Sequence, residues 1–417
     1  MCLLLKRARW FILRNFLENF VKNSALSRCG FLAMQEGKPY ILFCAGEDSG
    51  DCIGESLVSA FFKKGAHQFD ALGSGGPRMQ GAGLRALVEY EDLPVSGFGD
   101  VLPKYLKLRR DYKTLETVLA NPACKGLVAI DYPGFNMKLV QLAGRLGKPS
   151  LYVAPPQVWA WKAKRAKQLA VVPQTRLAVF FEFEKAPYEM EGCSVSRLRH
   201  PFAESTHEEV TNSSEQKNLH EKILLMPGSR KGQTLRNIPV FLKIASKFQD
   251  QNFAFVAARK SLVALIQDCL NRYFHGKVPS WIQVVEAPSL PQERCAFYRN
   301  SQGAISAPGT ATLELALSGV PLVVCTKPDA LTYALGKRLV RTSYFSLPNI
   351  VLSQASTAEF IKYRWNDSSY EQAAEALKSA MSLREKKSAK LESELRNNLS
   401  EGLSSEQLMS EFLAQFF

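Results

Sequence analysis

Two carboxylates and several glycine-rich turns carry the chemistry that this sequence suggests. Asp131 ends an apolar run, Leu127-Val128-Ala129-Ile130, and is followed by Tyr132-Pro133-Gly134-Phe135-Asn136. Ligands of open parallel α/β sheets sit at the carboxyl ends of the strands. A carboxylate placed there can act as a general base toward an attacking hydroxyl. Asp is also favoured ahead of a helix and Pro in its first turn, so helix capping is the competing role for Asp131. Glu47 lies in Gly46-Glu47-Asp48-Ser49-Gly50-Asp51, directly after the run from Tyr40 to Ala45. The acids of that turn would repel a diphosphate, so it suits sugar hydroxyls, with Glu47 as second base candidate and Ser49 beside it. His200, next to Pro201, is a third candidate that better suits shaping a hinge. Gly73-Ser74-Gly75-Gly76-Pro77-Arg78 is a further turn of this kind and places Arg78 on the same side.

A different chemistry marks the second half. Met226-Pro227-Gly228-Ser229-Arg230-Lys231-Gly232-Gln233 joins the apolar run Ile223-Leu224-Leu225 to a stretch with helical spacing. Such a turn leaves backbone N–H groups free at a helix N-terminus, where an anion is favoured. Arg230 adds donors suited to phosphate oxygens. The spacing is not that of a Walker loop. A second turn, Ala307-Pro308-Gly309-Thr310-Ala311-Thr312-Leu313-Glu314, follows the run Ala304-Ile305-Ser306. Small residues open its helix, and Glu314 stands about one turn inside, where an acid can accept the hydroxyls of a ribose. Together the two turns suit a nucleoside diphosphate.

The elements that must position these residues are alternating apolar strands and amphipathic helices, in two halves. At 417 residues, with 46% hydrophobic and 22% charged residues, the chain has room for two or three ordinary globular domains. The net charge of +14 points to an anionic partner. The nine cysteines lie apart from one another, which favours free thiols over a disulfide framework or zinc site. The expected organisation is a first domain at 38–205, a linker at 206–221, a second domain at 222–360 and helices over 361–417. Residues 1–37 read either as a basic amphipathic helix on a membrane or as an extension ahead of Met34, and the second reading is favoured. A stretch over 95–119 has helical spacing of apolar residues interleaved with Lys107, Arg109 and Arg110. It reads either as a helix with its apolar face in the core or as a surface for an anionic membrane. Trp159 and Trp161 form a sugar-stacking or lipid-facing wall, or pack internally.

The order of these motifs resembles one family, lipid-A-disaccharide synthase. The resemblance spans about 39–355 and rests on the turns already quoted, with Val158-Trp159-Ala160-Trp161, His200-Pro201 and Leu347-Pro348-Asn349. It implies an α/β fold of two Rossmann-like domains (GT-B type) facing across a cleft, with C-terminal helices. It implies transfer of diacylglucosamine from UDP-2,3-diacylglucosamine to 2,3-diacylglucosamine 1-phosphate. The expected base is Asp131 or Glu47. Gly228, Ser229, Arg230, Gly309, Thr310, Thr312, Glu314 and Asn349 are expected on the UDP. Ser49, Arg78 and Trp159 are expected on the acceptor side, and Lys107, Arg109 and Arg110 on the membrane. No cofactor, metal or nucleic acid is implied, since no Asp-x-Asp pair or recognition motif is present; oligomeric state is left open. The implied location is cytoplasmic, peripheral on the inner face of the inner membrane. Pro308, Gly134, Asp48, Gln157 and Arg199 depart from the family's usual residues. The rival readings are another UDP-sugar enzyme of GT-B type, such as an epimerase, and a non-catalytic basic membrane-binding protein.

Overall fold

The computed structural model describes residues 38–46, 48–64, 68–88, 101–159, 162–203, 221–288, 291–330, 333 and 343–416. They form two units, one built from residues up to Arg199 together with Gly402–Phe417, the other from His200–Glu401.

The first unit is a seven-stranded parallel sheet in the order β3-β2-β1-β4-β5-β6-β7. Its strands are β1 (Tyr40–Cys44), β2 (Asp70–Ser74), β3 (Arg85–Ala86), β4 (Cys124–Ile130), β5 (Ser150–Val153), β6 (Thr175–Val179) and β7 (Ser194–Arg197). Helices α1 (Asp48–Lys63), α2 (Pro77–Gly81), α3 (Val101–Ala120), α4 (Pro133–Arg145), α5 (Lys164–Ala170) and α6 (Glu182–Glu189) connect them. β1 is buried at every position, as expected where helices cover both faces of a parallel sheet. Cys44 is in register with Ser74 on one side and Ala129 on the other. The turns after β1, β2 and β4 therefore rise from one edge. β1 and β4 are also where the strand order reverses, the position at which open α/β sheets bind ligands.

The second unit repeats the plan with six parallel strands in the order β10-β9-β8-β11-β12-β13. They are β8 (Lys222–Met226), β9 (Asn252–Ala257), β10 (Ile282–Glu286), β11 (Gly303–Ser306), β12 (Leu322–Thr326) and β13 (Ala358–Ile361). Its helices are α7 (Lys231–Ala245), α8 (Lys260–Tyr273), α9 (Pro291–Arg299), α10 (Thr310–Leu317), α11 (Leu347–Leu352), α12 (Asp367–Ser382) and α13 (Ala389–Leu399). Ser306 is in register with Met226, so the turns after β8 and β11 are neighbours at this sheet's own reversal point. Ile223, Leu225, Phe241, Phe253, Phe255, Ile305 and Val323 form its core.

The C-terminal helices expected as a separate segment over 361–417 divide between the units instead. β13 crosses that boundary, and α12 and α13 belong to the second unit. The last helix, α14 (Ser405–Leu413), belongs to the first. It is tied there by Leu403 N–H donating to Arg197 O at 2.8 Å and by Ser56 and Ser405 hydroxyls 3.1 Å apart.

Candidate active site

At the reversal point of the first unit, Asp131 and Tyr132 both have left-handed backbones, with φ of 49° and 48°. For non-glycine residues this costs about 1–3 kcal/mol each, so surrounding groups must hold it. The Asp131 carbonyl accepts from Asn136 Nδ2 at 2.9 Å and from the Tyr152 hydroxyl at 3.2 Å. Its carboxylate accepts from Ser49 Oγ at 3.2 Å and from the Tyr132 backbone N–H. Burial raises the Asp131 pKa above the usual carboxylate value, and those two hydrogen bonds only partly oppose the rise. The helix-capping role for Asp131 does not hold: the residue ahead of α4 is Tyr132, and no side chain caps that helix. The Tyr132 ring lies where a Cβ on residue 46 would sit, 2.4 Å from its nearest ring atom, which is why that turn begins with glycine.

α1 brings the neighbouring turn to the same edge. While Ser49 reaches Asp131, Asp51 is 3% exposed and accepts from the Arg78 and Met79 backbone N–H groups at 3.2 and 3.1 Å. Asp51 thus holds the N-terminus of α2 and has no oxygen left idle for a sugar. Arg78 is placed beside this edge, and its Nη1 is buried with no hydrogen-bond partner. Glu47 and Trp161 lie outside the described residues.

Other candidates are engaged differently from expectation. The half-buried Trp159 donates through Nε1 to Glu184 Oε1 at 3.3 Å and stands edge-on to Phe183. Glu184 also accepts from the Phe180 and Phe181 N–H groups, and burial pushes its pKa up to about 7. His200 is buried; its Nδ1 accepts from Phe202 N–H, and burial pushes its pKa down to about 3. Its lone pair is occupied and its ring neutral, so it is not a base. On α3, Leu108 and Tyr112 pack on the core and Leu115, Val118 and Leu119 are fully buried, as the core-packing reading expects. Lys107 is half-buried, and Arg109 and Arg110 are exposed.

In the second unit, Gly228 has φ of 118°, and a side chain there would meet Gln233 Oε1 at 2.3 Å. The turn is braced from α7: Asn237 Nδ2 donates to Pro227 O at 2.8 Å and Thr234 Oγ1 to Gly228 O at 3.0 Å. Arg259 Nη2 donates to the carbonyl of Ser229 at 3.2 Å. Arg230 is exposed at the start of α7, whose first turn carries no acid.

On the neighbouring turn, Gly309 and Thr310 are exposed, while the buried Thr312 spends its hydroxyl proton on Gly309 O. Glu314 is 4% exposed, with Arg294 Nη1 3.1 Å away and the Tyr298 hydroxyl donating to it. Arg294 also holds Pro288 O. Neither Arg294 nor Tyr298 was marked by the sequence, because no glycine lies between β10 and α9 to draw attention.

Asn349 differs from the expected UDP contact. Its Nδ2 donates to Thr357 O and Glu359 Oε1, both at 2.8 Å, and its Oδ1 accepts from Thr357 N and Oγ1. Both ends of the amide are spent inside the protein, so Asn349 braces the start of α11. Glu359, another residue the sequence did not mark, completes that brace by accepting from Phe345 N and Ser346 N.

Two doubly wound parallel sheets, each with its polar turns gathered at the reversal point, define the two-Rossmann-domain GT-B class of nucleotide-sugar enzymes. Solved structures of that architecture agree in fold. The S. aureus MnaA–UDP co-structure matches with a TM-score of 0.59 at 13% identity, covering 91% of this chain and 96% of that one. The glycotransferase of kitacinnamycin matches at 0.53 and 12%, covering 90% and 98%. Among sequences, the family model for lipid-A-disaccharide synthetase matches residues 41–416. The lipid-A-disaccharide synthase of Trichlorobacter lovleyi is 33% identical, over 79% of this chain and 85% of its own. That of Coxiella burnetii is 29% identical, over 77% and 84%. The chain belongs to the lipid-A-disaccharide synthetase family, glycosyltransferases of lipid A biosynthesis.

Proposed function

We propose that the chain transfers diacylglucosamine from UDP-2,3-diacylglucosamine to the 6-hydroxyl of 2,3-diacylglucosamine 1-phosphate, releasing UDP. The observation that carries this is Asp131: a strained, half-buried carboxylate with a raised pKa at the reversal point of the first sheet. A hydroxyl is a weak nucleophile and needs a base as the new bond forms. Attack on an α-linked donor to give a β-linked product is one displacement with inversion. Asp131 takes the acceptor's proton, and Ser49 orients the carboxylate. Glu47, on the adjoining turn, is kept as an orienting group for the acceptor sugar. Arg78, with a buried Nη1 that lacks a partner, suits the acceptor's phosphate.

The donor belongs to the second unit. Backbone N–H groups of the Gly228–Arg230 turn and the N-terminus of α7 take the diphosphate, with Arg230 stabilising charge as UDP departs. Glu314 takes the ribose hydroxyls, with Gly309 and Thr310 allowing close approach and Arg294 balancing its charge. Among the described residues no helix is long and apolar enough to cross a membrane. The half-buried Lys107 and the exposed Arg109 and Arg110 suit a peripheral contact with an anionic surface, on the cytoplasmic face of the inner membrane.

The test is incubation of the full chain with both substrates and a mass readout. The acylated disaccharide 1-phosphate must appear only when the acceptor is present. Consumption or isomerisation of the UDP-sugar without acceptor would favour an epimerase-like enzyme instead.

A further inference from the structure

We propose that Asn136 is the positioning residue for Asp131, fixing the base through the main chain without touching substrate. The inference rests on the reading of Asp131 as general base. Asn136 is 0% exposed, and its Nδ2 donates to three carbonyls: Cys44 O and Ile130 O at 3.0 Å and Asp131 O at 2.9 Å. These acceptors are the last residues of two adjacent strands and the catalytic residue itself. One amide group therefore joins the strand from which the Ser49 turn departs to the strand that Asp131 follows.

The third bond matters most. Asp131 O also accepts from the buried Tyr152 hydroxyl, so the Asp131–Tyr132 peptide is pinned from within the sheet. The tilt of that peptide sets the left-handed backbone on either side of it. It thereby sets the direction of the Asp131 side chain and the place of the Tyr132 N–H that bonds its carboxylate. An aspartate at 136 would turn an acceptor toward three carbonyl oxygens, and an alanine would leave all three without this donor. Asn136 Oδ1 has no partner of its own, so the side chain is held here by what its nitrogen donates.

The experiment is a double-mutant cycle with kinetics, UDP binding and melting on the full chain. Asn136→Ala is expected to lower kcat by roughly 10- to 100-fold, the scale of a misplaced catalytic group. KM and UDP affinity should stay within about threefold. Asp131→Asn should lower kcat at least about 100-fold, and the double variant should fall no further, because Asn136 acts only through that carboxylate. The acidic limb of the kcat–pH profile should move to higher pH in Asn136→Ala. Loss of the bonds to the carboxylate raises its pKa, so more acid-side enzyme holds a protonated base.

Multiplying losses in the double variant, or an unmoved acidic limb, would overturn the positioning role. Near-normal turnover in Asp131→Asn would instead overturn the base assignment, and the inference with it. A crippled Asp131→Asn beside a fully active Asn136→Ala would remove the inference alone. If Asn136→Ala fails to fold, Tyr152→Phe deletes a single hydroxyl on the same carbonyl. It should lower kcat by about threefold to tenfold in the parent and not at all in Asp131→Asn; no loss in the parent counts against the role.

Discussion

Ser49 Oγ lies 3.2 Å from Asp131 Oδ2 and donates to it, across 82 residues of sequence. The bond joins the first turn of α1 to the end of β4, at the reversal point of the sheet. Two residues further along the same turn, Asp51 holds the backbone of Arg78. One helical turn thus sets the spacing between the proposed base and the arginine proposed for the acceptor.

Ser49→Ala should therefore weaken turnover modestly and leave the fold intact. A single exposed hydrogen bond is worth about 0.5–1.5 kcal/mol, a loss of roughly twofold to tenfold in kcat. That bond lowers the Asp131 pKa, so its removal raises the value further and moves the acidic limb of the rate profile upward. An unchanged profile in Ser49→Ala would show that the hydroxyl does not act on the base.

Arg294 gives a prediction that separates charge from contact. With Glu314 4% exposed, an unpaired carboxylate would stand close to where a diphosphate is expected. Arg294→Ala removes the ion pair and leaves the Tyr298 hydroxyl as the remaining bond noted above. UDP affinity should fall about tenfold or more, while uridine, which lacks phosphate, should lose far less. Isothermal titration of both ligands decides this. Equal losses would mean that Arg294 shapes the turn rather than balancing charge. Arg230→Ala should show the same preference for UDP through loss of a direct phosphate contact.

How much of this was legible follows from where each residue sits. Parallel strands buried on both faces are continuous apolar runs, so β1, β4, β8 and β11 stood out, and their ends drew attention to Asp131, Ser49, Arg230 and Glu314. Short mixed strands such as β6 and β7, reading TRLAV and SVSR, carry no such run. Arg294, Tyr298 and Glu359 were missed because their roles arise from partners that only folding brings near, and Glu184 because its Trp159 partner lies 25 residues away. Asn349 was placed on the UDP by resemblance, whereas four internal hydrogen bonds engage its amide. The placement of α14 with the first unit depends on a return of the chain at Gly402, which no local pattern announces.

The basic surface of α3 can be tested apart from its packing. Leu108 and Tyr112 face the core, so Lys107, Arg109 and Arg110 contribute charge more than inserted apolar area. Replacing all three by Glu should release the protein from vesicles of phosphatidylglycerol and phosphatidylethanolamine at low salt, with little change in melting temperature. Each cation near an anionic surface is worth about 1 kcal/mol, and about 0.1 M salt screens it beyond roughly 10 Å. Undiminished binding by the triple variant would exclude this face as the contact.

The two units should respond to acid in opposite senses. Glu184, in the first, is raised from an ordinary 4.5 to about 7 by burial. Between those values the native state holds a proton that the unfolded chain has released. Stability from this group is thus greatest below 4.5, falls as pH rises toward 7, and levels off above it. His200, in the second unit, is lowered from 6.5 to about 3. Between those values the unfolded chain binds a proton that the native ring refuses, so stability falls as pH drops from 6.5 toward 3. Each effect is on the order of a few kcal/mol at most. Glu184→Gln should remove the decline of the first unit's melting temperature with rising pH, and His200→Asn should remove the acid sensitivity of the second. Hydrogen exchange followed on peptides of each unit as temperature is raised across this pH range makes the comparison. If either variant keeps the parent's slope, the group in question titrates as it does in the unfolded chain.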